Sequence, residues 1–456
     1  MLKDFATSIV QALRQGGFQA YLVGGCVRDL LLEREPKDYD VATNATPEQV
    51  MGIFPETYAV GAQFGVVLVP APERDVATNV STDAGGGASR CVEVATFRSD
   101  IGYSDGRHPD EVRFSGDPRE DVARRDFTIN GMLLDPLSAQ PPGEVLDFVG
   151  GRKDLEAGII RAIGDPARRF GEDKLRMLRA VRFAARFDYA IEPATFAAMQ
   201  KLADQIAVVS RERVRDELTR MLTEGHGRRG FLLLDAGGLL QHVLPEISAM
   251  KGVEQPAEFH PEGDVFVHTL LLLDNLPTPC PLTLAWGALL HDVGKPPTFR
   301  VAPDRIRFDS HVEVGVRMAE EICRRLRFSN DDTEQILALV DNHMRFGHVT
   351  RMKESTLKKF LRMPAFDEHL ALHRADCLAS HRNLSTYEFI RQKRAEIPPE
   401  KMRPSPLVTG DDLIAVGHAP GPRFRKILSA VEDAQLEGRL PSRDAALEFV
   451  RREFPV

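Results

Sequence analysis

The chain has 456 residues, 43% hydrophobic and 28% charged, with a net charge of −8. That length holds roughly two to four domains with full cores. No apolar run approaches the ~20 residues of a membrane helix, and five scattered cysteines without a Cys-x-x-Cys pair exclude a disulfide framework and suit a reducing cytoplasm.

The acidic total by itself argues against nucleic-acid binding. Its distribution argues the other way, because arginine crowds Arg161 to Arg186 and Arg211 to Arg229. A locally basic groove on an acidic protein can hold RNA. Helices with ordinary solvated faces give the same pattern.

Met1-Leu-Lys-Asp-Phe5 has no signal-peptide character. Residues 3–15 read as an amphipathic helix ended by Gly16-Gly17, and residues 20–135 as a mixed α/β head. The informative stretch is Tyr21-Leu-Val-Gly-Gly-Cys-Val-Arg-Asp29, followed by Lys37-Asp-Tyr-Asp-Val-Ala-Thr43. Tyr21 to Val23 predicts a buried strand, Gly24 and Gly25 stop it, and Val27 to Leu32 predicts a short helix. Backbone N–H groups of such a loop can approach a phosphate. Asp38 and Asp40 are expected on the next strand, where i and i+2 share a face. Two carboxylates beside a phosphate loop can hold a divalent metal against a nucleoside triphosphate. Each half alone also fits a plain turn or a solvated edge.

Thr46-Pro47 opens a helix to Phe54, and strands are expected near 57–60 and 65–69. The polar, glycine-rich residues 71–90 read as a hairpin or loop, and Cys91 to Phe97 alternates like a strand. Glu93 is either a third metal carboxylate or an arginine-paired structural acid. Residues 98–120 have no clean period and read as a segment over the site. Arg124-Arg-Asp-Phe-Thr-Ile-Asn-Gly-Met132 follows. Arg125 and Asp126 can touch phosphate and ribose, and Asn130 a sugar hydroxyl. A capped helix start with surface arginines is the plain alternative.

From Asp147 the chain is expected to be helical to its end. In Arg168 to Ala184, Asp173, Arg176 and Arg179 fall at i, i+3 and i+6, with Arg182 slightly round from them. Leu175, Leu178, Val181 and Ala185 form the buried stripe. An acid and an arginine side by side can match a base's Watson–Crick edge, and they can equally be a local ion pair. Ser210 is an N-cap candidate, with Arg213 in place of the usual capping-box Glu or Gln.

The order Gly-Gly-Cys-Val-Arg-Asp, Asp-Tyr-Asp, Arg-Arg-Asp-Phe-Thr-Ile-Asn-Gly-Met, Glu-Asp-Lys-Leu-Arg, Ser-Arg-Glu-Arg-Val resembles the class II tRNA nucleotidyltransferases. These are the CCA-adding enzymes and their bacterial poly(A) polymerase relatives. The resemblance spans roughly residues 18–245. It implies that Gly24, Gly25 and Arg28 contact the triphosphate, that Asp38 and Asp40 are catalytic and bind Mg²⁺, and that Arg125 and Asp126 bind the nucleotide. It implies that Asp173 and Arg176 read the base of CTP or ATP, with Arg179 and Arg182 near phosphates or sugar. The segment near 98–112 resembles the flexible loop needed for the switch from C to A, although His108 stands where arginine is common. Gly61-Ala-Gln-Phe-Gly-Val-Val67 resembles the tRNA enzymes and not the poly(A) branch.

Leu289-Leu-His291-Asp292-Val-Gly-Lys295 ends an apolar helix; His268 precedes it, and His311, His343 and Asp376 follow on predicted helices. Histidine and carboxylate ligands from several helices suit Ni²⁺, Mn²⁺ or Fe²⁺. The set His268, His291, Asp292 and Asp376 resembles the HD phosphohydrolases, and His260 to His268 resembles its counterpart in HD-bearing CCA enzymes. That implies hydrolysis of a phosphomonoester or a 2′,3′-cyclic phosphate by metal-activated water. The tail, from Pro404, resembles the helical tail that touches the tRNA elbow.

The expected fold is α+β: a nucleotidyltransferase head with a mixed sheet (1–140), a helical base-recognition neck (141–250), an HD body (251–400) and a helical tail (401–456). The expected partners are tRNA, CTP and ATP, in the cytoplasm and with no membrane. The resemblance implies template-independent addition of CCA to the 3′ end of tRNA with release of pyrophosphate; A-only addition, a poly(A) polymerase, and an HD phosphohydrolase with a nucleotide-sensing head stay open as alternatives.

Overall fold

The computed structural model describes residues 2–59, 65–72, 91–102, 111–139, 141–256, 258 and 260–456. The chain forms two compact units, Met1–Met221 with Arg229–Leu244, and Leu222–Arg228 with Pro245–Val456.

The first unit is built on a six-stranded sheet in the spatial order Val66–Pro70, Cys91–Thr96, Asp40–Thr43, Ala20–Val23, Met132–Asp135, Glu144–Asp147. Asp40–Thr43 runs parallel to Cys91–Thr96, and the other neighbours are antiparallel. Its registers put Val23 opposite Asp40 and Asp40 opposite Glu93. Paired residues project from the same face. Both carboxylates therefore stand on one face, at the end where Ala20–Val23 gives way to the helix Gly25–Leu31.

The helix Leu2–Gln15 buries Ala6, Ile9, Val10 and Leu13, an i, i+3, i+4, i+7 stripe. Arg14 Nη1 bonds Asp135 Oδ2 at 2.8 Å and ties it to the sheet. Val23, Ala42, Phe97, Val122 and Leu133 form one core cluster.

Several expectations change. Asp38 lies before the strand, which begins at Asp40, and the helix expected from Val27 starts at Gly25. In place of the strand near 57–60, Tyr58 makes a single bridge to Leu68. Part of the region read as aperiodic is an antiparallel hairpin, Arg98–Ile101 with Glu111–Phe114. His108 and nearly all of the insert 71–90 lie outside the described residues. The chain beyond Asp147 is not wholly helical either. Ile159–Ile160 pairs in parallel with Ala190–Ile191, and Phe299–Val301 pairs with Ile306–Phe308.

The helices Pro166–Glu172 and Leu175–Phe187 meet at a break. Asp165 caps the first, its Oδ1 accepting the Arg168 N–H at 2.6 Å. Asp173 ends it in an extended conformation and accepts the Leu175 N–H at 3.0 Å, which starts the second. Leu175, Leu178, Val181 and Ala185 are buried, as the pattern predicts.

The second unit is helical around Leu282–Leu290, which is buried without a break from Leu284 to Leu290. A helix apolar all round belongs inside a bundle. Its neighbours are Val265–Asp274, Asn330–Asn342 and Phe366–Ala379. The tail has its own core of Val408, Leu413, Ile427, Val431 and Val450. Lys359 bonds Asp433 at 2.8 Å, and Arg362 pairs with Glu432, joining tail and body. Among the described residues no helix is long and apolar enough to cross a membrane.

Candidate active site and metal centre

Gly24 caps the helix Gly25–Leu31 with φ +79°. Glycine adopts that conformation without strain. A Cβ there would stand 3.3 Å from Arg125 Nη1 and 3.8 Å from Asp40 Oδ2. The glycine loop thus lies against one acid and one arginine of the expected site.

These groups line a cavity of about 540 Å³ together with Gly25, Arg28, Asp38, Asp126, Asp173, Arg176 and Arg179. Asn130, Arg124, Arg186 and Arg213 line it as well. Burial, then Glu93 and Asp38, pushes the Asp40 carboxyl up to about 7, with Arg125 opposing. Glu93 is likewise raised, by desolvation first and by Asp38 among its neighbours. Crowded carboxylates of this kind are relieved by a cation, and an all-oxygen donor set fits Mg²⁺.

The arginines are held by acids. Asp121, fully buried, accepts Arg124 on Oδ1 at 2.6 and 3.0 Å and Arg125 on Oδ2 at 2.9 and 3.2 Å. The sequence reading passed over Asp121, though its i, i+3 and i+4 spacing to the two arginines was visible. Arg28 bonds Asp29 Oδ1 at 2.8 Å and Asn130 Oδ1 at 2.6 Å, and lies over the Phe187 ring. Asp126 accepts Arg179 at 2.6 and 2.8 Å and Asn130 Nδ2 at 3.1 Å. Burial opposes its ionisation, but Arg179 and these hydrogen bonds hold its carboxyl at about 2.

The pair expected to read the base is built differently from the expectation. Asp173 stands in the break between helices, so the i, i+3 face argument does not apply to it. Its carboxylate takes both Nη atoms of Arg213, at 2.7 and 3.2 Å. Arg213 is therefore no capping residue. Arg176 bonds Glu172 Oε2 at 2.7 Å and the carbonyls of Arg169 and Arg124 at 3.0 and 3.1 Å. Arg182, expected near phosphates or sugar, is buried in an ion pair with Glu217 at 2.5 Å and does not line the cavity. Glu217 holds its guanidinium instead.

In the second unit His268, His291, Asp292 and Asp376 converge. His268 Nε2 is 3.2 Å from Asp376 Oδ1 and 3.9 Å from Asp292 Oδ2, and His291 Nε2 is 3.1 Å from Asp292 Oδ2. His268, His291 and Asp292 are at most 2% exposed. Burial opposes a charge on Asp292, yet His291 and Lys295 hold its carboxyl well below the usual range. The Nε2 atoms of His268 and His291 are buried without a hydrogen bond. Orphaned imidazole nitrogens around a carboxylate fit a transition metal. Glu262, which the sequence reading left without a role, accepts His268 Nδ1 at 2.6 Å and His260 Nδ1 at 2.9 Å.

Comparison with known proteins follows the same division. Residues 20–161 match the Poly A polymerase head domain, 188–251 a probable RNA- and SrmB-binding site of polymerase A, and 267–380 the HD domain. The CCA-adding enzyme of Levilactobacillus brevis is 30% identical over 449 residues, 97% of this chain and 96% of that enzyme. The chain belongs to the CCA-adding enzyme family.

The family member from Lactococcus lactis subsp. lactis is 39% identical over 259 residues, 56% of this chain, and that from Geobacillus stearothermophilus 40% over 234 residues, 51% of this chain. The chain spans 60% and 53% of those two relatives' lengths. The crystal structure of the Bacillus stearothermophilus CCA-adding enzyme in complex with CTP matches with a TM-score of 0.72 at 27% identity. It covers 98% of this chain and 97% of that one. The Thermotoga maritima CCA-adding enzyme complexed with tRNA shares the fold, with a TM-score of 0.59 at 19% identity, over 98% of this chain and 94% of that one.

Proposed function

We propose that this chain adds C and A residues to the 3′ end of tRNA without a nucleic-acid template, using CTP and ATP and releasing pyrophosphate. The observation that carries this is one cavity lined both by Asp38, Asp40 and the glycine loop and by Asp173, Arg176 and Arg213. Similarity to a CCA-adding enzyme crystallised with CTP supports it.

The tRNA 3′-hydroxyl oxygen attacks the α-phosphorus, and the bond to the bridging oxygen of pyrophosphate breaks. Asp38 and Asp40 would hold Mg²⁺, which supplies charge neutralisation at the reacting phosphate. Arg28 and Arg125 face the glycine loop and offset the charge that pyrophosphate gains on leaving. Asp173, oriented by Arg213, offers acceptors, and Arg176 offers donors. Cytosine and adenine both present an exocyclic amine beside a ring-nitrogen acceptor, which fits that polarity; uracil and guanine reverse it. Asp126 fixes Arg179 at the cavity wall.

A cytoplasmic site of action follows from the tRNA substrate. A variant carrying Asp38→Ala and Asp40→Ala is expected to lose incorporation of labelled CTP and ATP while its circular dichroism spectrum is retained. Incorporation at the wild-type rate would overturn the reading.

The His268–His291–Asp292–Asp376 centre supports a second activity in the same chain, hydrolysis of a phosphomonoester or 2′,3′-cyclic phosphate with Mn²⁺, Ni²⁺ or Fe²⁺. Loss of phosphatase activity in His291→Ala, with nucleotide addition retained, tests it; retained phosphatase activity contradicts it.

A further inference from the structure

The helix Leu175–Phe187 carries two phenylalanines, Phe183 and Phe187, in its last turns. Side chains at i and i+4 share a helix face. Their rings lie nearly parallel, with centroids 6.2 Å apart and planes at 14°. The Arg28 guanidinium, from the helix Gly25–Leu31, sits over both, 4.8 Å from the Phe187 centroid and 5.4 Å from that of Phe183. We propose that Phe183 and Phe187 are positioning residues for nucleotide addition: their ring faces hold Arg28 in the orientation in which it meets the triphosphate. This deepens the transferase reading and rests on it.

Three observations carry the role. The first is geometric. Arg28 Nε and Nη2 meet Asp29 Oδ1 at 2.8 and 2.7 Å, and Nη1 donates to Asn130 Oδ1 at 2.6 Å. Bonds along its edge fix the rotation of a planar guanidinium within its plane and resist tilting only weakly. An aromatic face against it resists the tilt. Arg28 Nη2 then lies 3.5 Å from the place a Gly25 Cβ would occupy, close against the glycine loop.

The second is desolvation. Arg28, Phe183 and Phe187 are each at most 7% exposed. Burial works first against the Arg28 charge, and Asp29 works for it. A cation with little water around it gains most from the negative face of a ring.

The third is the company the rings keep. Arg34 and Arg186 lie 5.5 and 5.4 Å from the Phe187 centroid, and Arg179 and Arg182 lie 5.4 and 4.2 Å from that of Phe183. Guanidinium groups gathered this closely repel one another. More carboxylates would relieve the repulsion and also cancel the charge that a triphosphate needs. Ring faces offset part of the repulsion and carry no net charge.

The rings are themselves held. Phe127 meets Phe183 edge-on at 5.9 Å. Tyr189 packs on Phe187 at 5.6 Å and donates its hydroxyl to the Leu155 carbonyl at 3.1 Å. The helix that carries them starts just after Asp173. One helix thus links the arginine at the glycine loop to the acid proposed to meet the base.

The test changes the ring face and keeps the ring. In the full chain Phe187 is replaced, by amber suppression, with mono-, di- and trifluorinated phenylalanine, which withdraw electron density from the face. Phe170, buried and over no guanidinium among the described residues, takes the same series as control. Incorporation of CTP into a tRNA transcript lacking CCA, and of ATP into one ending in CC, is measured with inorganic pyrophosphate as inhibitor. At Phe187, kcat/KM should fall stepwise with fluorine number, by about 3- to 10-fold at three fluorines, and the Ki of pyrophosphate should rise in step. The Phe170 series should be flat. A flat Phe187 series in either readout, or an equal slope at Phe170, overturns the positioning role and leaves the transferase standing. A parent chain without incorporation overturns both.

Discussion

Asp173 is held by Arg213, 40 residues further along the chain, through two guanidinium bonds of 2.7 and 3.2 Å. Its sequence neighbour Arg176 bonds Glu172 and backbone carbonyls instead. The acceptor and donor expected to meet the base are thus fixed independently, each by its own partner. Bidentate support is what holds a carboxylate in one orientation. Arg213→Ala is expected to lower kcat/KM for CTP and ATP about 10- to 100-fold, the loss of a charged hydrogen bond. Steady-state incorporation with UTP as competitor checks this, and UTP misincorporation should rise. An unchanged CTP:UTP ratio would remove Arg213 from base selection.

Asp121 bonds Arg124 with one oxygen and Arg125 with the other while fully buried. Asp121→Asn keeps the shape and removes the charge. Arg125 loses its bidentate partner while Arg124 keeps Asp100 at 3.7 Å, and the change should cost about 3 kcal/mol. Chemical denaturation measures it, and KM for the triphosphate should rise with it. A loss below about 1 kcal/mol would mean that the arginines find other partners.

Asp40 has its carboxyl raised to about 7 by burial first. Between about pH 4 and 7 the folded metal-free chain therefore holds a proton that the unfolded chain has released. Stability from this group is complete below the unfolded value near 4 and is lost as the pH rises through 7. Under the proposed function, Mg²⁺ would replace that proton. The rise in Tm on adding Mg²⁺ should be larger at pH 8 than at pH 6, and this difference should vanish in Asp40→Asn. Thermal scans with and without Mg²⁺ decide it.

Gly294→Ala forces a methyl against the His311 carbonyl. Overpacking of this kind costs about 1–3 kcal/mol. The variant should melt earlier and bind Mn²⁺ more weakly in the second unit, with nucleotide addition unchanged. Wild-type Tm and metal affinity together would show that the helix yields at no cost.

The approach of the glycine loop to Asp40 was legible because strand, turn, helix and the next strand follow one another in sequence. Asp38 was placed on the strand because i, i+2 parity suggested it, whereas strand pairing starts only at Asp40. The hairpin Arg98–Ile101 with Glu111–Phe114 escaped notice because its second strand, Glu-Val-Arg-Phe, is largely exposed and shows no buried alternation. The Asp173–Arg213 bond is tertiary and leaves no local spacing to read. His311 and His343 were visible as histidines on helices. Their common aim at Asp292 depends on how the helices pack, with Gly294 against the start of the His311 helix, which composition does not encode. Arg182 looked like its neighbours on the helix wheel; burial against Glu217 separates it from them.

The central claim is tested most directly by nucleotide addition, with purified protein and Mg²⁺, on three tRNA transcripts: one lacking CCA, one ending in C and one ending in CC. CTP and ATP are supplied separately and together, with the Asp38→Ala, Asp40→Ala variant as control. The account predicts completion of CCA on all three when both nucleotides are present, and nothing from the variant. A added only to the CC-ending transcript would restrict the chain to A addition. No incorporation on any transcript would contradict the account.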